Sequence, residues 1–208
     1  AAPAAAPQRI TLAGEPGPFQ ALLEPLAGET MEIHHQQGQE RFLEIDDRVR
    51  LAVTDGRSAT QRTADEPGLP WVVMDLVLDL GATPRIAIAA ADQASEADLG
   101  PVIGLFQGLG KAVSVIDDRP GMIVMRTVCM LANEGADAVN QGVSSAEAVD
   151  LAMQKGVNYP RGPLAWAQSI GLGNVVRVLD NLAGTYGEDR YRVSPLLRRA
   201  VAAGGDLL

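Results

Sequence analysis

Between Gly110 and Arg126 the chain reads GKAVSVIDDRPGMIVMR, and the spacing of its apolar residues changes inside that stretch. Ala112–Ile116 is a near-continuous β-type run that ends at the polar Asp117-Asp118-Arg119. From Pro120 onward, Val124, Val128, Leu131, Gly135 and Ala138 recur at three- and four-residue intervals, the period of a helix. Met125, Cys129, Ala132 and Ala136 add a second stripe, so this helix, expected over 121–141, is apolar around most of its circumference and belongs at the centre of a bundle. Charge changes at the same place: residues 1–117 hold 8 basic and 17 acidic side chains, and residues 118–208 hold 9 of each. Together these features predict an α/β unit over 9–117 and an all-helical unit over 118–208. The Ala/Pro stretch AAPAAAPQ at 1–8 reads as a linker from an upstream segment.

Before the boundary, short β-type runs alternate with helical ones. Arg9–Ala13, Met31–His35, Val49–Thr54, Trp71–Leu76, Arg85–Ala91 and Ala112–Ile116 are expected strands. Phe19–Ala27, a polar segment after Arg57, and Leu99–Leu109 are expected helices. Apolar strands separated by helices imply a parallel sheet covered on both faces. After the boundary, Gly142 ends the first helix and Ser144 or Ser145, with Glu147, opens the next. Asn158-Tyr-Pro-Arg-Gly-Pro163 breaks that second helix and starts a third, Val175, Val178, Leu179 and Leu182 continue the helical spacing, and Ser194-Pro195 opens a last helix running through Ala203.

Composition excludes several classes. With 47% hydrophobic and 21% charged residues the chain buries a core and is not disordered. One cysteine excludes a disulfide framework, and two histidines argue against a His-rich metal site. A net charge of −9 argues against nucleic acid or an anionic membrane as partner. The absence of a long apolar run and of targeting signals leaves the cytoplasm as the expected compartment.

An ordered set of motifs spans about ninety residues of the second half. It comprises Gly110-Lys111, Asp117-Asp118-Arg119-Pro120-Gly121, Asn133-Glu134, Gly156-Val-Asn158-Tyr-Pro160-Arg-Gly162-Pro163 and Tyr191-Arg-Val-Ser194-Pro195-Leu196-Leu197. This set resembles the C-terminal helical domain of the 3-hydroxyacyl-CoA dehydrogenases. The variant NYPRGPLAW at 158–166, with Thr54-Asp55-Gly56-Arg57 and Arg190-Tyr191-Arg192, is similar to the second, duplicated half of the long bacterial members, the 3-hydroxybutyryl-CoA enzymes and the 3-hydroxyadipyl-CoA dehydrogenases of phenylacetate breakdown. The resemblance implies a shortened, degenerate Rossmann-like sheet followed by the family's helical domain. It implies a parent enzyme that oxidises a 3-hydroxyacyl-CoA to the 3-oxoacyl-CoA with NAD. It also implies, as partners, an upstream catalytic half, the acyl-CoA substrate, and a second copy through the helical domain.

The departures from that family are chemical. Its dinucleotide loop is G-x-G-x-x-G, but the corresponding place after the first strand reads Ala13-Gly14-Glu15-Pro16-Gly17-Pro18. Two prolines remove amide donors, and Glu15 sets a negative charge where a phosphate would lie. The family's general-base histidine has no counterpart after His35, and its asparagine in the PG-x-x-x-N-R crossing is Met125, a thioether that cannot replace an amide. No catalytic or cofactor-binding residue is therefore expected in this chain, nor bound NAD. Asn133, Glu134, Asn158, Pro160, Arg161, Gly162 and Pro163 are the residues expected to shape the acyl pocket or an interface.

Two rival readings remain. In one, the chain is a nucleotide- or acyl-CoA-binding enzyme with a replaced active site, its base drawn from Asp55, Asp75 or Asp92 near strand ends. In the other it is an interaction module without a ligand. Asp55-Gly56-Arg57 also reads as an Asp helix cap with a glycine turn. Arg190, Arg192, Arg198 and Arg199 could meet CoA phosphates or lie on an ordinary helix flank. His34 and His35, on opposite faces of a strand, do not share a metal, and Cys129 on an apolar stripe is expected to be an inert core thiol.

Overall fold

The computed structural model describes residues 1–26, 32–38 and 40–207. These residues form two units by their contacts: Ala1–Thr54 with Ser58–Met122, and Asp55–Arg57 with Ile123–Leu208.

The first unit holds seven strands: β1 (Arg9–Ala13), β2 (Glu32–Gln36), β3 (Phe42–Ile45), β4 (Val49–Val53), β5 (Trp71–Met74), β6 (Arg85–Ala90) and β7 (Ala112–Val115). Its helices are the four-residue α1 (Gln20–Leu23), α2 (Ala59–Asp65) and α3 (Glu96–Gly108). Every expected strand is present, although Met31 of the second and Ala27 of the first expected helix lie outside the described residues. The strand order is β2-β1-β3-β4-β5-β6-β7. The sheet is mixed where a parallel one was expected: β1–β2, β4–β5 and β6–β7 are parallel, and β1–β3, β3–β4 and β5–β6 are antiparallel. The extra strand β3 accounts for two of the three antiparallel pairings. It returns through a tight turn at Asp46 and Asp47, both with positive φ, and pairs with β1 and β4 at once.

The two sheet faces differ in side-chain size. One carries Ile10, Leu12, Leu43, Ile45, Leu51, Met74, Ile86 and Ile88, packed with Phe19, Leu22, Val102, Leu105 and Phe106 from α1, α3 and their flanks. Burying side chains of this kind contributes about 1.5–3 kcal/mol each before chain entropy is counted. The other face carries Ala52, Val73, Ala89 and Ala91 around Trp71. The Arg62 guanidinium of α2 lies 3.8 Å from the Trp71 ring centroid, and its charge is paired with Glu40 at 3.1 Å and Glu66 at 3.5 Å. A small-residue face lets this planar cation stack on the indole, so α2 lies close to the sheet.

The second unit contains α4 (Val124–Asn140), α5 (Ala146–Gly156), α6 (Pro163–Ile170), α7 (Leu172–Tyr186) and α8 (Pro195–Ala203). As its two apolar stripes require, α4 contacts each of the other four helices. Cys129, Ala132 and Ala136 of α4 are fully buried with Leu164, Ala167, Val175, Leu179, Leu182 and Leu197. Small residues along α4 let four helices approach it. Ser145 caps α5 by accepting from the Ala148 amide, and Ser194 caps α8 ahead of Pro195.

Candidate functional site

The turn from Asn158 to Pro163 is built by an aspartate of the preceding helix. Asp150 of α5 is 5% exposed, and its carboxylate accepts from the Leu164 amide at 2.8 Å and the Ala165 amide at 2.9 Å, capping α6 across the turn. The Asp150 side chain fills the space where Gly162 has no Cβ, since a Cβ there would stand 2.1 Å from the Asp150 carboxyl carbon. Asn158 turns the chain with φ of 60°, Pro163 occupies the first position of α6, and Tyr159 and Trp166 bring their rings to 5.5 Å across the turn. Gly162 and Pro163 are buried; Asn158, Pro160 and Arg161 are exposed, and Arg161 donates to the Ser169 hydroxyl.

Asn133 is also structural in its contacts. It is 3% exposed, its Nδ2 donates to the Arg192 carbonyl at 2.9 Å, and its Oδ1 accepts from the Ser194 amide at 2.8 Å. One amide thus satisfies a buried donor and an acceptor that the backbone presents just before α8. Its neighbour Glu134 is exposed. Met125 is buried and accepts from the Cys129 thiol at 3.7 Å. Burial pushes the Cys129 thiol up to about 12, so it stays protonated.

The segment Asp55–Arg57 belongs to the helical unit although it follows β4 in sequence. Asp55 pairs with Arg57 at 2.7 Å and its carbonyl accepts from Asn181 Nδ2 at 2.8 Å. Gly56, at φ of 100°, leaves no space for a Cβ, which would stand 2.5 Å from the Val178 carbonyl oxygen. Asp55 is not the helix cap that the sequence suggested. Ser58 is, accepting from the Gln61 amide at 3.0 Å. The first two amides of α2, on Ala59 and Thr60, donate to the carboxylate of Asp118 at 2.7 and 2.8 Å.

The remaining candidates separate. Because β5 and β6 are antiparallel, Asp75 and Asp92 lie at opposite ends of those strands and cannot share a site. Three of the four candidate phosphate-binding arginines face carboxylates: Arg190 with Glu188, Arg192 with Asp137 and Arg198 with Asp180. The Lys111 ammonium donates to the carbonyls of Leu80 and Thr83, securing a loop. His34 lies 3.7 Å from Glu32 on an exposed strand, and among the described residues no three His, Cys, Asp or Glu side chains could hold a metal ion. Among them, too, no helix is long and apolar enough to cross a membrane. The sequence shows Asp118 only as part of the motif at 117–121 and gives no sign of Asp150; a carboxylate whose partners are distant amides carries no local signature of its capping role.

Two family models match successive parts of the chain. Residues 51–120 match the 3-hydroxybutyryl-CoA dehydrogenase reduced Rossmann-fold domain, and residues 121–205 match the 3-hydroxyacyl-CoA dehydrogenase C-terminal domain. The chain is 44% identical over 163 residues to 3-hydroxyadipyl-CoA dehydrogenase of Escherichia coli, covering 78% of this chain and 33% of that protein. It is 29% identical over 157 residues to 3-hydroxybutyryl-CoA dehydrogenase of Clostridioides difficile, covering 74% and 53%. Among solved structures, 3-hydroxybutyryl-CoA dehydrogenase from E. coli K12 superposes with a TM-score of 0.74 at 39% identity, over 81% of this chain and 34% of that one. The chain therefore spans only a third to a half of the length of these relatives. The two models follow one another over residues 51–205, across β5–β7 and the helices α4–α8, and this part of the chain belongs to the 3-hydroxyacyl-CoA dehydrogenase family, as a reduced Rossmann-fold domain joined to a C-terminal domain.

Proposed function

We propose that this chain is the non-catalytic half of an NAD-dependent 3-hydroxyacyl-CoA dehydrogenase, which supports dimerisation and the acyl-CoA pocket while its upstream half performs hydride transfer. The observation that carries this reading is the Asp118 carboxylate on the amides of Ala59 and Thr60. In a dinucleotide-binding βα turn such amides meet the pyrophosphate. Here a residue of the chain itself takes them, and its negative charge opposes a second anion. The turn after β1 fits NAD no better, since it holds Pro16 and Pro18 and its Glu15 carbonyl accepts from Arg41. The residues present do not fit the cofactor, so no chemical step is assigned to them.

The contribution of the helical unit is surface and shape. Val143, Leu151 and Val157, on and beside α5, are each more than half exposed, and through them this helix offers apolar surface to another helical unit. The Asp150–Gly162 turn and the Asn133 bridge hold the helices that present it. The test pairs two measurements on the purified chain. Sedimentation velocity from 1 to 100 µM (roughly the range of weak dimers,) is expected to show a dimer, and absorbance at 340 nm is expected to show no oxidation of NADH by acetoacetyl-CoA. A strictly monomeric chain, or one that turns over NADH, overturns the proposal.

A further inference from the structure

The Ala/Pro segment before β1 does not behave as a spacer. Its first residue and Val113 of the edge strand β7 are joined by a hydrogen bond from the Ala1 nitrogen to the Val113 carbonyl at 2.7 Å. The side-chain amide of Gln107 on α3 then bridges Pro3 from both sides, donating to the Ala2 carbonyl at 2.9 Å and accepting from the Ala4 amide at 2.9 Å. This reads a peptide backbone as a neighbouring strand would, one donor and one acceptor at once. Farther along, the Ala5 carbonyl lies over Gly104, where a Cβ would stand 1.8 Å from that oxygen. Pro7 is buried, and Asp46 accepts from the amides of Gln8 and Arg9 at 2.8 and 2.9 Å.

Helix α3 is costly without this partner. It contains Gly100, Pro101 and Gly104 and ends on Gly108, and each interior glycine is about 1 kcal/mol worse than alanine in a helix. At Gly100 and Gly108 a Cβ would meet nothing within 4 Å, but at Gly104 it would meet the peptide. A glycine where the backbone of another segment approaches is the expected residue. The occupant is matched in turn: alanine and proline have little side chain to place, and proline stiffens the extended chain, which lowers the entropy lost on docking.

We infer that the side of α3 from Gly104 to Gln107, and on to the edge of β7, is a docking groove for an extended small-residue peptide, and that residues 1–7 are its occupant. Residues 1–7 are thus a strap that completes α3. Recognition runs through the peptide backbone, so the groove selects conformation and small size over side-chain chemistry.

Amide hydrogen exchange of the intact chain, read residue by residue by NMR, tests the inference. The Ala4 amide is expected to exchange at least tenfold more slowly than an unstructured alanine. Gln107→Ala is expected to return it to the unstructured rate while amides of the central strand β5 stay protected. Gly104→Val, which blocks the groove without touching the Ala4 bond, is expected to release Ala4 as well. An Ala4 amide that exchanges freely in the unmodified chain, or one still protected in Gln107→Ala, overturns the assignment.

Discussion

Asp150 and Gly162 occupy one space: the aspartate carboxyl group stands where a Cβ on residue 162 would be, 2.1 Å from its position. The pairing lets α5 cap α6 across a turn, through the amides of Leu164 and Ala165. It gives a single physical reason for the glycine in the Asn158–Pro163 motif. Gly162→Ala is expected to displace the carboxylate and destabilise the helical unit by about 1–3 kcal/mol, through overpacking and loss of the cap. Asp150→Ala is expected to remove the cap and leave a cavity. In the double variant the two penalties should not add, because Gly162→Ala has then no carboxylate to displace. Denaturant unfolding of the four proteins measures this coupling.

The Asn133 bridge yields a graded series. Asn133→Ala leaves the Ser194 amide and the Arg192 carbonyl without their partner, at a cost of about 2–4 kcal/mol. Asn133→Asp keeps an acceptor for Ser194 but buries a carboxylate with one oxygen against the Arg192 carbonyl, and near neutral pH is expected to cost more than the alanine. Thermal unfolding with far-UV circular dichroism would separate the two.

Cys129 should behave as an inert thiol. Its ionisation is pushed up to about 12 by burial, above the range of a free cysteine, so folding favours the protonated form. The stability this contributes is present below the free-thiol range and is lost as pH rises from about 9 towards 12. Ellman's reagent at pH 8 is expected to leave Cys129 unmodified in the native chain and to react stoichiometrically in denaturant.

At the start of α3, Ser95 and Asp98 form a capping box in which the Asp98 carboxylate accepts from the Ser95 hydroxyl and amide. These hydrogen bonds, and to a smaller extent Arg48, hold the Asp98 carboxyl below its ordinary value. A depressed carboxylate stabilises the fold above its unfolded pKa, and that contribution disappears as pH falls through the lower folded value. Asp98→Asn is therefore expected to lower Tm by a few degrees at pH 7, for a cap of about 1 kcal/mol, and by less as pH drops below about 4. Paired melting curves at pH 7 and pH 3 decide it.

Much of the architecture is legible in the order of residues, for reasons that stay local. The change of period at Pro120, the Ser145 and Ser194 caps and the proline-rich turn at 158–163 each act within a few positions. The strand β3 escaped because Phe42–Ile45 is short and its meaning depends on pairing with β1 and β4 simultaneously. The same limit hid the capping roles of Asp118 and Asp150, whose carboxylates meet helix amides that the chain brings near only on folding. AAPAAAPQ reads as a linker on composition, because nothing in it reveals the glycine of α3 that receives it.

The most direct test of the central claim, that this half holds no dinucleotide, is a thermal-shift titration of the chain with NADH, with acetoacetyl-CoA as a parallel arm. A ligand at about 100 times its Kd adds roughly 2.7 kcal/mol, which raises Tm by several degrees. With Asp118 on the α2 amides and prolines in the turn after β1, millimolar NADH is expected to leave Tm unchanged. A dose-dependent rise with NADH would contradict that claim and return this half to the catalytic members of its family.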